Sequence, residues 1–247
     1  MMNISKKISL KDKLHLNILP ALKESAPYFS MEQIRDQLKA KGLKASSVTL
    51  KTYLSRFVSE GVIHDAGRGW YSNIPKPFVL NIKPIKAIIT KIESAFPLLD
   101  FSSWSTEQIN PFMHHLLSKF VIFIDVPQDA MAGLNEWLED NGYDVYAKPG
   151  KKEVAKTFRI SDRTLVIRTG HIDETNIQKH AAPIEKILVD LLNETDKLKL
   201  MELSEAKAVV DKVARSGRIS MGYLLNYAKR QRICLSGIEI INQLHVI

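Results

Sequence analysis

Between Gly42 and Gly61 the apolar residues Leu50, Leu54, Phe57 and Val58 fall at spacings of 0, 4, 7 and 8. That period puts all four on one side of an α-helix and leaves the opposite side to Lys51, Thr52, Ser55 and Arg56. Ser46 or Ser47 supplies the N-cap, and Gly61 supplies the stop. Such a helix needs an apolar bed, and the flanking residues provide one.

Upstream, Ser30 followed by Gln33 is a capping box, Ile34 and Leu38 share a face, and Gly42 ends the segment, which predicts a second helix. A first helix is expected over 10–24, with Leu14, Leu16, Ile18, Leu19 and Leu22 as its apolar side. Pro20 interrupts it, either as a kink or as the start of a shorter helix. Downstream, Val62 and Ile63, a turn at 64–67, and then Arg68-Gly69-Trp70-Tyr71 read as a β-hairpin. Three helices and a hairpin within about 70 residues is the order of a winged helix-turn-helix. Trp70 and Tyr71 are expected on the packing side of that hairpin.

Asn73-Ile74-Pro75-Lys76-Pro77 reads as a linker, because no helix can run through two prolines so placed. Beyond it, helices are expected over 84–96, 106–117 and 128–141, with an extended stretch at 98–104. Strands are expected at 120–126, 143–147 and 164–168. From Pro183 the pattern turns helical, over 184–193, 204–215, 220–230 and 235–244. The predicted fold class is α+β. An N-terminal winged helix-turn-helix (1–74) is followed by a larger mixed α/β domain (78–247) with a helical C-terminal part.

Charge supports a division of labour. The chain carries a net +8. Residues 1–80 hold 13 basic and 6 acidic residues, or +7, leaving +1 for the remainder. A basic small domain joined to a neutral larger one points to a polyanion partner, here double-stranded DNA. The expected contacts are Ser46, Ser47, Thr49, Thr52 and Arg56 on the third helix for base edges and phosphates. Lys44 and Lys51 would neutralise phosphates, and Arg68 at the hairpin turn would reach the minor groove or the backbone. A second basic group, Arg215, Arg218, Lys229, Arg230 and Arg232, either extends that footprint or is a solvated helix end.

The larger domain offers little chemistry. One cysteine, Cys234, excludes an internal disulfide. His114 and His115 are adjacent, which on a helix points them about 100° apart, and His171 and His180 fall on a loop. None of these has metal-ligand spacing, so no metal, cofactor or catalytic residue is assigned. The strand at 120–126 carries a single acid, Asp125. Glu185 and Asp190 sit beside Lys186 on a helix, as solvated or paired groups. Ser105 has no Gly-x-Ser-x-Gly setting. No stretch is long and apolar enough to cross a bilayer, and no signal peptide is read, so a cytoplasmic location is expected.

Five segments, in order, resemble the AbiEi family of antitoxins and transcriptional regulators of type IV toxin–antitoxin systems. They are Ala26-Pro27-Tyr28-Phe29-Ser30, then Gly67-Arg68-Gly69-Trp70-Tyr71-Ser72, and Phe101-Ser102-Ser103-Trp104-Ser105-Thr106. The run from Pro183 to Leu192 and the segment Leu224-Leu225-Asn226-Tyr227-Ala228-Lys229-Arg230 complete the set. The resemblance implies a repressor that binds inverted repeats in its own promoter. It also implies an antitoxin that counteracts a nucleotidyltransferase-like toxin without a stable complex, acting as a monomer or weak dimer. The alternative is a nucleic-acid- or nucleotide-modifying, nucleotidyltransferase-like enzyme targeted to DNA by its winged helix.

Overall fold

The computed structural model describes residues 9–170 and 180–244. In chain order the elements are α1 (Leu10–Lys13), a π-helical stretch (Leu14–Ile18), α2 (Leu19–Ser25), β1 (Tyr28–Ser30), α3 (Met31–Ala40), α4 (Ser47–Ser59), β2 (His64–Asp65) and β3 (Trp70–Ser72). Then follow α5 (Lys83–Ala95), β4 (Ser102–Ser105), α6 (Thr106–Ile109), a 3-10 turn (Asn110–Phe112), β5 (Ile122–Val126), α7 (Met131–Asp140), β6 (Asp144–Ala147), α8 (Lys151–Thr157) and β7 (Thr164–Thr169). Four helices close the described chain: α9 (Ile184–Leu198), α10 (Leu203–Ser216), α11 (Met221–Gln231) and α12 (Glu239–Asn242). The fold is mixed α+β with two small sheets. Among the described residues no helix is long and apolar enough to cross a membrane.

Two compact units divide the chain: Met1–Phe78 together with Val213–Ile247, and Val79–Lys212. The sequence suggests a boundary at 74–78 and one continuous second domain. The C-terminal segment instead joins the first unit.

In the first unit, α1 to α2 form one helical run widened at its middle. Pro20 has no N–H to donate, and the run absorbs it through a π turn closed by Leu19 N–H to Leu14 O. The widening turns Leu16 out to 64% exposure, while Leu14, Ile18, Leu19 and Leu22 are buried. Leu16 therefore leaves the predicted apolar side. Ser30 caps α3 in the reciprocal box with Gln33, and it also ends a three-residue strand absent from the sequence reading. The three-stranded sheet has the order β1-β3-β2 and is antiparallel throughout. The hairpin turn lies at 66–69, two residues later than expected. Leu50, Leu54 and Phe57 of α4 are fully buried against Ile34, Leu38 and the first helical run.

Residues 74–78 are not a free linker. Arg218 N–H donates to Lys76 O, Phe78 N–H donates to Arg218 O, and the Arg218 guanidinium donates to the carbonyls of Ile74 and Pro75. The two places where the chain leaves and re-enters this unit are thus stitched together.

The second unit is built on a sheet of order β4-β5-β7-β6. Strand β4 runs antiparallel to β5, whereas β5, β7 and β6 are mutually parallel. Its core gathers Ile85, Ile88 and Ile92 of α5, Leu134 and Leu138 of α7, and Ile124 and Ile167 of the sheet. Helix α6 stops well short of the predicted 117, because Pro111 cannot continue it. The predicted helix over 235–244 contracts to α12, after Gly237 adopts positive φ.

Candidate nucleic-acid interface

Helix α4 shows its polar side to solvent along its whole length. Ser47, Val48, Lys51, Thr52, Ser55 and Arg56 are exposed, Thr49 is half-buried, and Lys44 and Ser46 are exposed in the turn before it. The helix can display this side because its underside is anchored by Leu50, Leu54 and Phe57. Arg68 is exposed in the 66–69 turn. All eight residues assigned from the sequence to DNA contact are therefore open to solvent, Thr49 only in part.

Their chemistry divides. The hydroxyls are engaged within the protein: Ser46 Oγ caps Thr49 N–H at 3.0 Å and pairs with Thr49 Oγ1 at 2.8 Å. Thr52 Oγ1 donates to Val48 O at 3.0 Å, and Ser47 Oγ accepts from the Arg35 guanidinium at 3.0 Å. Arg35, on α3, thus belongs to the same surface, and sequence reading missed it. Its signal was available, since Arg35 lies one position after the buried Ile34. Lys44, Lys51, Arg56 and Arg68 take part in no ion pair among the described residues. They are the free cations of the face.

The hairpin turn is short and tightly held. Trp70 N–H donates to Gly67 O, Ala66 N–H to Trp70 O, and Met31 N–H to Gly69 O. Gly67 has φ +89, and a Cβ there would meet Ser220 Oγ at 2.3 Å. A Cβ on Gly222 would meet Arg68 N at 3.0 Å. The N-terminus of α11 therefore presses directly on the turn that carries Arg68. Tyr71 packs against Phe29, with ring centroids 6.3 Å apart, and burial pushes its phenol pKa up. Burial, followed by the charges of Arg218 and Lys23, lowers the His64 pKa.

Redrawing the domain boundary sharpens the charge asymmetry. The unit of 1–78 and 213–247 holds 18 basic and 7 acidic residues, or +11. The unit of 79–212 holds 17 basic and 20 acidic residues, or −3. Within the C-terminal basic group, Arg215 pairs with Glu239 at 3.3 Å and Arg218 is the stitch described above. Lys229, Arg230 and Arg232 are exposed.

The second unit contains a buried charge cluster. Asp125 of β5 lies opposite Arg168 of β7 in the sheet register. Arg168 pairs with Asp125 and Asp190 at 2.9 Å and with Glu194 at 3.0 Å. Lys186 reaches Asp125 at 2.5 Å and Asp190 at 2.6 Å. All five are buried. Burial pushes the Arg168 pKa down, but the three carboxylates outweigh it and keep the guanidinium charged. Burial pushes the Asp190 carboxyl up, but Arg168 and Lys186 together hold it below the ordinary aspartate value. Glu185 and Asp190 are not solvated: Asp190 is paired in the interior, and Glu185, next to Lys186 in sequence, is buried as well. The strand neighbours of Asp125 are Arg168 on β7 and Ser102 on β4, neither of them a carboxylate, and no set of three or more potential metal ligands forms among the described residues.

Other residues weighed in the sequence take structural places. Ser105 caps α6 in a box with Gln108. His114 and His115 are exposed on a non-helical turn, where His114 N–H donates to Glu205. His180 stacks on Phe101 at 3.9 Å between centroids. His171 lies outside the described residues.

The sequence pattern of DUF6577, a family of unknown function, matches residues 49–245. The chain belongs to DUF6577. The matched region of this DUF6577 chain begins inside α4 and runs through the second unit into the returning C-terminal segment. No curated protein matches the sequence.

Proposed function

We propose that this protein is a DNA-binding transcriptional repressor that docks α4 in the major groove of duplex DNA. The observation that carries the reading is the polar, cationic outer side of α4 on a fully buried apolar keel, followed in the chain by a hairpin turn that exposes Arg68. In this reading the first unit is a winged helix-turn-helix, α3 and α4 are its helix pair, and the β2–β3 hairpin is its wing. Its support is the element order of two helices followed by a hairpin, with β1 completing a three-stranded sheet. The +11 charge of this unit favours a phosphate-backed ligand over a protein one.

The resemblance to AbiEi antitoxins adds the biological role. The protein represses its own promoter at inverted repeats and, through its second unit, counteracts a nucleotidyltransferase-like toxin without a stable complex. A mobility shift on the DNA upstream of its own gene tests the DNA-binding reading. Specific retardation is expected, weakened in Arg56→Ala and Arg68→Ala; equal binding by both variants overturns the assigned surface. Co-expression with the neighbouring gene tests the antitoxin role. Rescue from that gene's toxicity supports it, and absence of either toxicity or rescue refutes it.

A further inference from the structure

The outer side of α4 contains one residue that neither burial nor charge explains. Val48 is 75% exposed at the second position of the helix, while Leu50, Leu54 and Phe57 are fully buried. A β-branched residue there adds nothing to helix propensity. Lys51 and Thr52 lie three and four positions on, so Val48 makes a small apolar spot within a polar, basic surface.

The surrounding hydroxyls sharpen the contrast. Ser46 and Thr49 are bonded to each other, Thr52 to the carbonyl of Val48, and Ser47 to Arg35. The hydroxyls that sequence reading favours as base readers are therefore already engaged at the N-terminal end of the helix, the end that meets base edges in a helix-turn-helix, and Arg56, in no ion pair among the described residues, lies eight residues beyond Val48. Val48 is left free. The base edges of the major groove present donors, acceptors and a single kind of apolar group, the C5-methyl of thymine.

We infer that Val48 is a specificity residue that packs against a thymine methyl in the bound DNA. The inference rests on the reading of α4 as the recognition helix, and it names the base that this helix selects.

The test uses the full chain and duplexes selected from a random library by the wild-type protein. Each thymine in turn is replaced by deoxyuridine, which removes only the methyl and leaves base pairing intact. Wild type is expected to lose about fourfold in affinity at one thymine per half-site, the effect of unburying one methyl group. Val48→Ala should bind thymine and deoxyuridine duplexes equally, whereas Val48→Ile should keep the preference. Lys51→Ala should weaken both duplexes and leave their ratio unchanged. Binding with no methyl dependence, or a preference retained by Val48→Ala, overturns the role of Val48 and leaves DNA binding standing. If no duplex is retained even at about 50 mM salt, both readings fall together.

Discussion

The amide of Gly222 donates to the carbonyl of Ala66 at 3.1 Å, joining the first turn of α11 to the hairpin turn that carries Arg68. Two glycines make this approach possible. Gly67 supplies the positive φ of the turn, and Gly222 presents no Cβ to the backbone of Arg68. The C-terminal segment is therefore part of the fold that presents the candidate interface.

Gly67→Ala should destabilise the first unit by about 1–3 kcal/mol, because the new Cβ collides with Ser220 Oγ and the backbone sits in the left-handed region. Urea denaturation measures this. Gly69→Ala, with φ +79 but open space around it, should cost less, since only the backbone term applies. Equal losses would mean that the α11 contact contributes nothing.

Tyr28 makes a second tie between the same segments. Its hydroxyl accepts from Ile219 N–H at 3.0 Å and donates to Ala214 O at 2.9 Å, inside a fully buried site. Tyr28→Phe leaves a buried amide without its acceptor, and about 1–3 kcal/mol of stability should be lost. A fragment ending at residue 78 loses this tie and the Arg218 stitch together. It should show a lower thermal midpoint than the full chain, or no cooperative transition.

Arg168→Met should destabilise the protein by about 3–5 kcal/mol, because Asp125, Asp190 and Glu194 would remain buried with Lys186 as their remaining cation within the cluster. Gly170→Ala should act on the same cluster by another route, since its Cβ would lie 2.5 Å from the Asp125 carboxyl. Denaturant midpoints that match wild type would show the cluster to be dispensable.

The cluster also sets an acid limit. The Asp190 carboxyl is held below its ordinary value in the folded state. Its contribution is therefore present above the unfolded pKa of about 4 and is lost as pH falls from there through the lower folded value. The urea midpoint should drop below about pH 4, and Asp190→Asn should be less stable at neutral pH with a shallower acid loss. A variant with the wild-type acid slope would contradict this assignment.

Much of the first unit is legible locally. The Ser30–Gln33 box, the Ser46 cap and the Leu50, Leu54 and Phe57 stripe each lie within one turn or one helix, where sequence spacing and geometry coincide. Non-local features are not. Strand β1 is three residues long and exists because Ser72, Tyr71 and Trp70 pair with it. Arg218 reads as one more cation in a basic run, yet its guanidinium is consumed by two carbonyls far away in sequence. Lys186, Asp190 and Glu194 recur every four residues, the signature of a solvated helix face. They are buried because Arg168 and Asp125 arrive from two strands to meet them. On the outer side of α4 the exposure of the polar residues was readable but their bonding was not: Ser46, Thr49 and Thr52 are engaged by hydrogen bonds within the turn and helix.

The salt dependence of duplex binding, followed by fluorescence anisotropy on the upstream DNA, tests the central claim most directly. The account predicts that log affinity falls linearly with log salt, and that Lys51→Ala and Arg68→Ala each reduce the slope by about 0.9, one phosphate contact apiece. No binding at about 50 mM salt, or a slope unchanged in both variants, would contradict it.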